Sequence, residues 1–535
     1  MNAPTNCPVA LADFVVVGTG SAGSVLAERL SADARNQVVV LEAGGKDTDR
    51  RIRTPVTWTQ LFRSPIDWGY LTEPQPELNG RKIYWPRGKT LGGTSSMNAT
   101  LWIRGFAADY DEWAEYAGEQ WSFHRIVKYF KQIESVEGAR EPYEGVDGPL
   151  HISRQRSPHR FTAAWLQAVQ QTGHAIERPN LPQPNGFSQT MVTQRRGARW
   201  SAADAWLRPA LRRKNLTLIT NATVTRVIFQ DKQAVGVEFE NNGTRQFVRA
   251  RREVLVCAGT VNSPQLLMLS GIGDKEHLAR HGIELVHHLP QVGHNLQDHL
   301  AAVLNFDVDG GSLFAAGKLL SIANYLIRRR GMLTSPAGEA YGFVRSRPEL
   351  DLPDLELIFS PGPFRDQGLG QPDRHGVALG PILQKPHSRG LISLRSADPK
   401  DKPSIDPRYL SDAGAVDRAA MLEGLRMCAK IADAPALASL LGPIARPFDA
   451  SDTSEAALEK ALYSQGQSFF HSVGTCRMGT DRTSVVTPEL EVRGVRGLRV
   501  ADASVMPTIT RGHTHAPSVL IGAKAADLIA ATNHR

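Results

Sequence analysis

The sequence predicts an α/β protein in which a discontinuous Rossmann-like domain is interrupted by a second domain of sheet and helices. Three observations carry this expectation. Residues 14–23 read Phe14-Val15-Val16-Val17-Gly18-Thr19-Gly20-Ser21-Ala22-Gly23, a strand running into a Gly-x-Gly-x-x-Gly turn and a helix start. A second apolar run, Val38–Leu41, closes on an acid, Glu42, 19 residues after Gly23. The glycine-rich, motif-dense character fades over residues 301–465 and returns after 465, and 535 residues are too many for one small core.

Each element has a physical reason, taken in chain order. Gly18 permits a tight turn, Gly20 lets a pyrophosphate approach the backbone, and Gly23 lets helix and strand pack closely. Thr19, Ser21 and Ala22 complete the turn, where a helix N-terminus offers free N–H groups and a partial positive charge to phosphates. Glu42, followed by Ala43, stands where a carboxylate accepts hydrogen bonds from a ribose. The unit reads as an adenine-dinucleotide cradle. Residues 45–90 are rich in Pro, Trp and Arg and read as an extended excursion over a surface. Residues 109–135 carry Tyr110, Trp113, Tyr116, Ile126, Tyr129, Phe130 and Ile133 at helical spacing. Short strands are expected at Leu216–Thr220, Val224–Phe229, Ala234–Glu240 and Val254–Cys257, with a turn at Asn241-Asn242-Gly243. After the strand ending near Ala258-Gly259, Ser263 is expected to cap a helix with Pro264 at its first position, stopped by Gly271. A last helix is expected from about Pro517 through Ala525 and Leu528, its N-terminus aimed at whatever lies above it.

Composition narrows the function classes. Hydrophobic content is 41%, charged content 22%, and net charge +8. The basic residues are scattered apart from short runs such as Arg212–Lys214 and Arg328–Arg330, and no run alternates with aromatics, which argues against nucleic acid. A solvated basic face is the first reading of those runs; attraction to an anionic membrane surface or an acidic partner is the second. Cys7, Cys257, Cys428 and Cys476 follow no pairing pattern, which suits a reducing compartment. No signal-peptide pattern and no membrane-length apolar run is seen, so a cytoplasmic protein is expected, with peripheral attachment to the inner membrane left open. Nothing in the sequence indicates an oligomeric state.

Further along lie five dense segments. The first is Trp85-Pro86-Arg87-Gly88-Lys89-Thr90-Leu91-Gly92-Gly93-Thr94-Ser95-Ser96-Met97-Asn98-Ala99. It is not a P-loop, because Ile83 stands where the first glycine is needed. The others are Ser263–Gly273, Asn295-Leu296-Gln297-Asp298-His299, His471–Gly479, and Asp502–Pro507 leading into Gly512-His513-Thr514-His515-Ala516-Pro517. Together and in this order they resemble the glucose–methanol–choline (GMC) oxidoreductases. Within that family the chain is most similar to choline dehydrogenases and bacterial aliphatic-alcohol dehydrogenases, notably in Trp85–Asn98 and Gly474–Gly479.

The resemblance implies FAD rather than NAD. It implies an FAD-binding domain built from residues 1–150, 190–300 and 466–535, and a substrate domain from 151–189 and 301–465. It puts the family's catalytic histidine on His471 and, by register, its second active-site residue on His515. Cofactor contacts are implied at Arg87, Gly92, Ser95, Asn98, Ala99, Thr100, Leu101, Val224 (backbone, at the adenine), Ala258, Asp502, Ala503 and Thr514. Relatives commonly read Tyr-His-Pro and Asn-x-Asn-Ala-Pro, where this chain has Phe470-His471-Ser472 and His513-Thr514-His515-Ala516-Pro517. Which of His513 and His515 faces the substrate is therefore open. Met97 stands where some members carry a flavin-linked histidine, so non-covalent FAD is expected. His513 and His299 are read as structural, and no metal is expected.

The expected chemistry is alcohol oxidation. A neutral imidazole takes the hydroxyl proton, and a hydride passes from the carbinol carbon to flavin N5. The partners are a small-molecule alcohol, a primary alcohol by family default, and a quinone or other electron acceptor. An oxidase releasing H2O2 and a non-redox hydroxynitrile lyase remain as alternatives. The substrate pocket is expected to be lined mostly by residues 301–465.

Overall fold

The computed structural model describes residues 9–140, 142–442 and 452–532, so Cys7 lies outside the described residues. Two seven-stranded sheets organise the chain. In the first, the order is Leu216–Thr220, Val38–Glu42, Val9–Val17, Thr244–Val256, Gln233–Asn241 and Ala222–Gln230, with Leu498–Val500 also pairing Thr244–Val256. The strands around Val9–Val17 run parallel, and the Gln233–Asn241 and Ala222–Gln230 strands are antiparallel. Phe14–Val17, Val38–Leu41 and Val254–Val256 are buried, as strands covered on both faces must be.

The expected Asn241-Asn242-Gly243 turn is present, with φ of 50° at Asn242 and 78° at Gly243, the left-handed pair that a two-residue hairpin needs. That hairpin extends the following strand back to Thr244. Its polar first half, Thr244–Arg252, lacks the apolar run by which Val254–Cys257 is recognised in the sequence.

Helix Ser21–Ser31 lies so close to the first strand that a Cβ on Gly23 would stand 2.0 Å from the Gly18 carbonyl oxygen. The last helix, His515–Thr532, packs on it in turn, with a Cβ on Gly522 falling 2.5 Å from the Ala22 carbonyl oxygen.

The second sheet is antiparallel: Gly466–Ser468, Leu300–Ala302, Gly376–Leu383, Leu355–Ser360, Ala340–Val344 and Phe187–Gln189, with Leu304–Asp307 beside Gly376–Leu383. Helix Val416–Ala432 packs on it at Gly424, whose absent Cβ would lie 2.5 Å from Pro381.

The helical spacing of 109–135 is realised as two helices, Ala107–Ala117 and Phe123–Ile133, broken where Gly118 takes φ 80°, ψ 164°. Two local expectations are corrected. Residues 45–90 do not skim the surface: Trp58 and Trp85 are buried in apolar clusters. The helix after the Thr244–Val256 strand begins at Gly259, so Pro264 is interior and Ser263 is not its cap. Proline tolerates this position because the Thr260 carbonyl it cannot bond accepts the Thr475 hydroxyl at 2.6 Å. Ser263 instead donates to Asp502 at 2.6 Å.

Replacing Gly23 by Ala forces the helix off the strand. We expect Gly23→Ala to lower stability by about 3 kcal/mol and to reduce flavin content; thermal denaturation and the flavin-to-protein absorbance ratio measure both.

Candidate active site

One continuous cavity opens at the C-terminal ends of the parallel strands, between Val9–Val17 and Thr244–Val256, where the order of strand connections reverses. At this end it is lined by Gly18, Gly20, Ser21, Ala22, Glu42, Ala43, Val224 and Ala258. A Cβ on Gly20 would meet nothing within 4 Å, while one on Gly93 would lie 2.9 Å from the Gly20 Cα. The two backbones thus form a cradle bare of side chains. Among the described residues no side chain caps the N-terminus of helix Ser21–Ser31, so its first-turn N–H groups are free for an anion. Glu42 accepts from the Thr19 N–H (2.9 Å), the Thr19 hydroxyl (2.6 Å) and the Gly44 N–H (2.9 Å). These bonds aim a carboxylate along the cavity floor and leave lone pairs for a diol. Burial raises its pKa.

The middle of the cavity is lined by Arg87, Ser95, Met97, Asn98, Ala99, Leu101, Asp502, Ala503, Thr514 and His515. Asp502 accepts from Gly259 N–H (2.8 Å), Ser263 (2.6 Å) and Ser504 N–H (2.8 Å), joining the second strand tip to the C-terminal segment; burial raises its pKa. Arg87 donates to the Phe470 carbonyl (3.1 Å) and the Ser472 hydroxyl (2.5 Å). Beside Asn98 and Ser95 lies Arg199, buried, donating to both (2.6 and 3.2 Å), with an Nη2 that has no partner among the described residues. Burial pushes its pKa down to about 9.

Four of the expected cofactor residues do not line the cavity. Thr19 supports Glu42, and Gly23 serves helix packing. Gly92, at φ 85°, makes room for the Ser96 hydroxyl, which a Cβ would meet at 2.3 Å. Thr100, at φ 63°, turns toward Thr193 and Gln194, to which it is hydrogen-bonded.

The far end holds a histidine cluster, in which the ring against His471 is not the one that register favours. His513, not His515, packs against His471, with ring centroids 4.5 Å apart. His515 sits over the first helix, its Nδ1 2.9 Å from the Ser21 hydroxyl and its ring edge-on to Trp102. Helix His515–Thr532 starts two residues earlier than the Pro517 signal, and its first residue is directed toward the cradle, while His513 lies in the preceding loop.

His299, read from sequence as structural, also joins the site. Its Nε2 lies 3.1 Å from the Gln384 carbonyl, and its Nδ1 lies 2.9 Å from Nδ1 of His471. A carbonyl only accepts, so the network assigns the proton of neutral His299 to Nε2 and leaves Nδ1 an acceptor. Nδ1 of His471 must then be the donor, and Nε2 of His471 carries the lone pair. Burial holds both rings neutral: His299 is pushed down to about 3 and His471 well below the ordinary value, with His513 reinforcing both. His515 is pushed down to about 4, by burial and then by Arg199.

The loop carrying His471 is held at its base. Buried Asp298 accepts from the His471 backbone N–H (2.8 Å), the Ser468 hydroxyl (2.5 Å) and the Tyr409 hydroxyl (2.5 Å). Phe470 takes φ 66°, a conformation disfavoured for a bulky residue, and its N–H donates to Ser468. This kink turns His471 into the cavity.

His513 pairs through Nε2 with Glu356 (3.1 Å), whose other oxygen accepts from Gln384 (3.1 Å). Glu356 was not singled out in the sequence, although an acid inside the apolar run Leu355-Glu356-Leu357-Ile358-Phe359 is a readable signal. Trp58, Phe62, Phe364 and Phe470 wall this end, Trp58 stacking on Phe364 at 5.9 Å. Much of the wall therefore comes from outside residues 301–465. Among the described residues no group of three His, Cys, Asp or Glu side chains could hold a metal ion.

A bare backbone cradle, an uncapped helix N-terminus, a carboxylate at the next strand tip and an orphaned buried guanidinium fit FAD. Such a cradle opening onto a histidine cluster defines a flavin-dependent oxidoreductase. The chain belongs to the GMC oxidoreductase family: the N-terminal family model matches residues 12–301 and the C-terminal one residues 386–522. It is 63% identical to an uncharacterized GMC-type oxidoreductase of Mycobacterium tuberculosis, over 97% of this chain and 99% of that protein. It is 41% identical to an alcohol dehydrogenase [acceptor] of Pseudomonas putida (97% and 95%) and 38% to an oxygen-dependent choline dehydrogenase of Brucella ovis (97% and 95%). Its fold is similar to that of pyridoxine 4-oxidase from Mesorbium loti, with TM-score 0.88 and 28% identity over 98% of this chain and 99% of that one. Its cofactor is FAD.

Between pH 6.5 and about 3 an unfolded chain protonates a histidine that native His299 keeps neutral. The contribution of His299 to stability is therefore full above pH 6.5 and shrinks as pH falls through that window. We expect the stability of wild type relative to His299→Gln to fall by about 1.4 kcal/mol per pH unit from pH 6 to 4. Denaturant melts of both proteins at each pH measure this, and the buried carboxyls common to both cancel.

Proposed function

We propose that the chain is an FAD-dependent alcohol dehydrogenase that oxidises a primary alcohol with an apolar body to the aldehyde and passes the electrons to a quinone or related acceptor. The observation that carries this reading is the directed hydrogen-bond chain from the Gln384 carbonyl through His299 to His471, ending at an Nε2 lone pair in an aromatic-walled cavity. An alcohol must lose its hydroxyl proton to release hydride readily, and a fixed, neutral imidazole is the group that takes it. FAD, when bound, supplies the hydride acceptor at N5.

In this reading His471 takes the proton at Nε2 while its Nδ1–H stays anchored on His299. Glu356 is paired with Nε2 of His513 and fixes that ring beside His471, where it is placed to meet the substrate oxygen. The ring of Phe469, 5.2 Å from His471 and 5.5 Å from His513, shields both from water. His515 and Ser21 belong to the cofactor side. The parallel sheet then carries FAD and the antiparallel sheet roofs the alcohol, with Gly466–Ser468, assigned from sequence to the FAD domain, forming an edge strand of the antiparallel sheet. Buried Met97, lining the cavity, offers a thioether that cannot form a histidyl–flavin link, so FAD is held without a covalent bond.

The aromatic wall favours a second substrate reading. A trimethylammonium group fits the faces of Trp58, Phe62, Phe364 and Phe470 by cation–π attraction, which would make choline the alcohol.

Anaerobic mixing of the holoenzyme with 1-octanol, benzyl alcohol, choline and a sugar alcohol decides between them. Fast flavin bleaching is expected with the first two; bleaching by choline alone would select the second reading. His471→Ala should stay yellow and lose at least about a hundredfold in the reduction rate; near wild-type reduction would refute the base assignment. Stoichiometric H2O2 on aerobic turnover would replace the dehydrogenase by an oxidase. Acid precipitation should leave all FAD in the supernatant, and a yellow pellet would contradict the non-covalent assignment.

A further inference from the structure

Helix Leu319–Arg328 wears its apolar face outward. Leu319 is 80% exposed, Leu320 85%, Ile327 81% and Leu326 64%, with Ile322 and neighbouring Phe314 also exposed. At 100° per residue, positions 319, 320, 322, 323, 326 and 327 fall within one arc of about 160°. An ordinary surface helix turns such an arc to the core. Here the inward side is narrow: Tyr325 is the helix's buried residue, packed on Ala316 and Leu333, and its hydroxyl donates to the Arg53 carbonyl at 3.3 Å. Exposed aliphatic side chains in this number mark an interaction surface rather than scattered surface leucines.

The rim of this patch identifies the partner. Lys318 precedes the helix and Arg328, Arg329 and Arg330 end it, all exposed, with Arg329 stacked over the Tyr325 ring at 4.9 Å. Apolar side chains ringed by cations match a surface that is hydrocarbon beneath and anionic on top. We propose that this helix docks the protein in the plane of an anionic lipid bilayer, with Leu319, Leu320, Leu326 and Ile327 in the acyl boundary and Lys318, Arg328 and Arg330 against lipid headgroups. Ten residues are too few to span a bilayer, and among the described residues no helix is long and apolar enough to cross one.

The docking face is one layer from the site. The turn Met332–Thr334 follows the helix, and Ala337 and Gly338 just beyond it line the cavity. Val56 packs against the base of the helix, while Trp58 in the same turn lines the aromatic wall. Seated on lipid, the protein would hold its aromatic end beside a hydrocarbon phase, the phase in which an apolar alcohol or a lipid-soluble acceptor is concentrated. The docking itself rests on the exposed face and not on the substrate assignment.

The test is co-sedimentation of the holoenzyme with phosphatidylglycerol or phosphatidylcholine vesicles at low salt, paired with sedimentation velocity without lipid. We expect phosphatidylglycerol vesicles to bind wild type at least about tenfold more tightly than phosphatidylcholine vesicles, with the excess lost at high salt. Leu320→Glu/Ile327→Glu should weaken binding at least about tenfold while keeping the flavin spectrum. Lys318→Gln/Arg328→Gln/Arg330→Gln should erase the preference between the two lipids. No binding by wild type, equal binding to both lipids, or unchanged binding by the Glu variant would overturn the proposal. So would a wild-type dimer that the Glu variant dissociates, which would assign the face to a second copy of the chain.

Discussion

Two imidazoles, buried His299 and half-buried His471, face each other through Nδ1 atoms 2.9 Å apart and hold one proton between them. Which ring carries it is settled a step away, where the Gln384 carbonyl accepts the Nε2–H of His299. From that constraint follow the tautomer of His471, the position of its lone pair, and the direction in which a proton can arrive. The backbone serves the same end. Asp298 ties the His471 N–H to Ser468 and Tyr409, and the left-handed turn at Phe470, worth about 1–3 kcal/mol of strain, is kept because three hydrogen bonds to one buried carboxylate hold it.

The cavity joins two kinds of chemistry. At one end the backbone itself is the binding surface, because Gly20 and Gly93 remove the side chains and an uncapped helix supplies the donors. At the other end side chains do the work, Glu356 from the antiparallel sheet and the others from loops and turns: His513 with Glu356, His471 with His299, and an aromatic wall shared by residues 58, 62, 364 and 470. Asp502 and the Thr475–Thr260 bond lock the C-terminal segment to the second strand tip, so the two ends keep a fixed relation.

The first strand, the glycine turn, Glu42 and the Asn242-Gly243 hairpin were legible because each is a run of neighbours whose local geometry the residue types dictate. The polar half of Thr244–Val256 was not, since its pairing depends on the hairpin before it. Pro264 misled for a related reason: its missing N–H reads as a helix start until the distant Thr475 hydroxyl is seen to satisfy the carbonyl left over. The choice between His513 and His515 stayed open in the sequence, because register does not reveal that the last helix starts at His515 and aims that ring at Ser21.

By itself the sequence determined the nucleotide cradle, the GMC family and with it FAD. These are contiguous motifs whose chemistry is local. Tertiary structure decided which imidazole meets His471, that His299 and Glu356 belong to the site, that Trp58 walls the cavity, and that Leu319–Arg328 turns its leucines to the outside. Each of those depends on residues tens to hundreds of positions apart meeting at hydrogen-bond or ring-contact distance, or on which face of a helix the rest of the protein leaves uncovered.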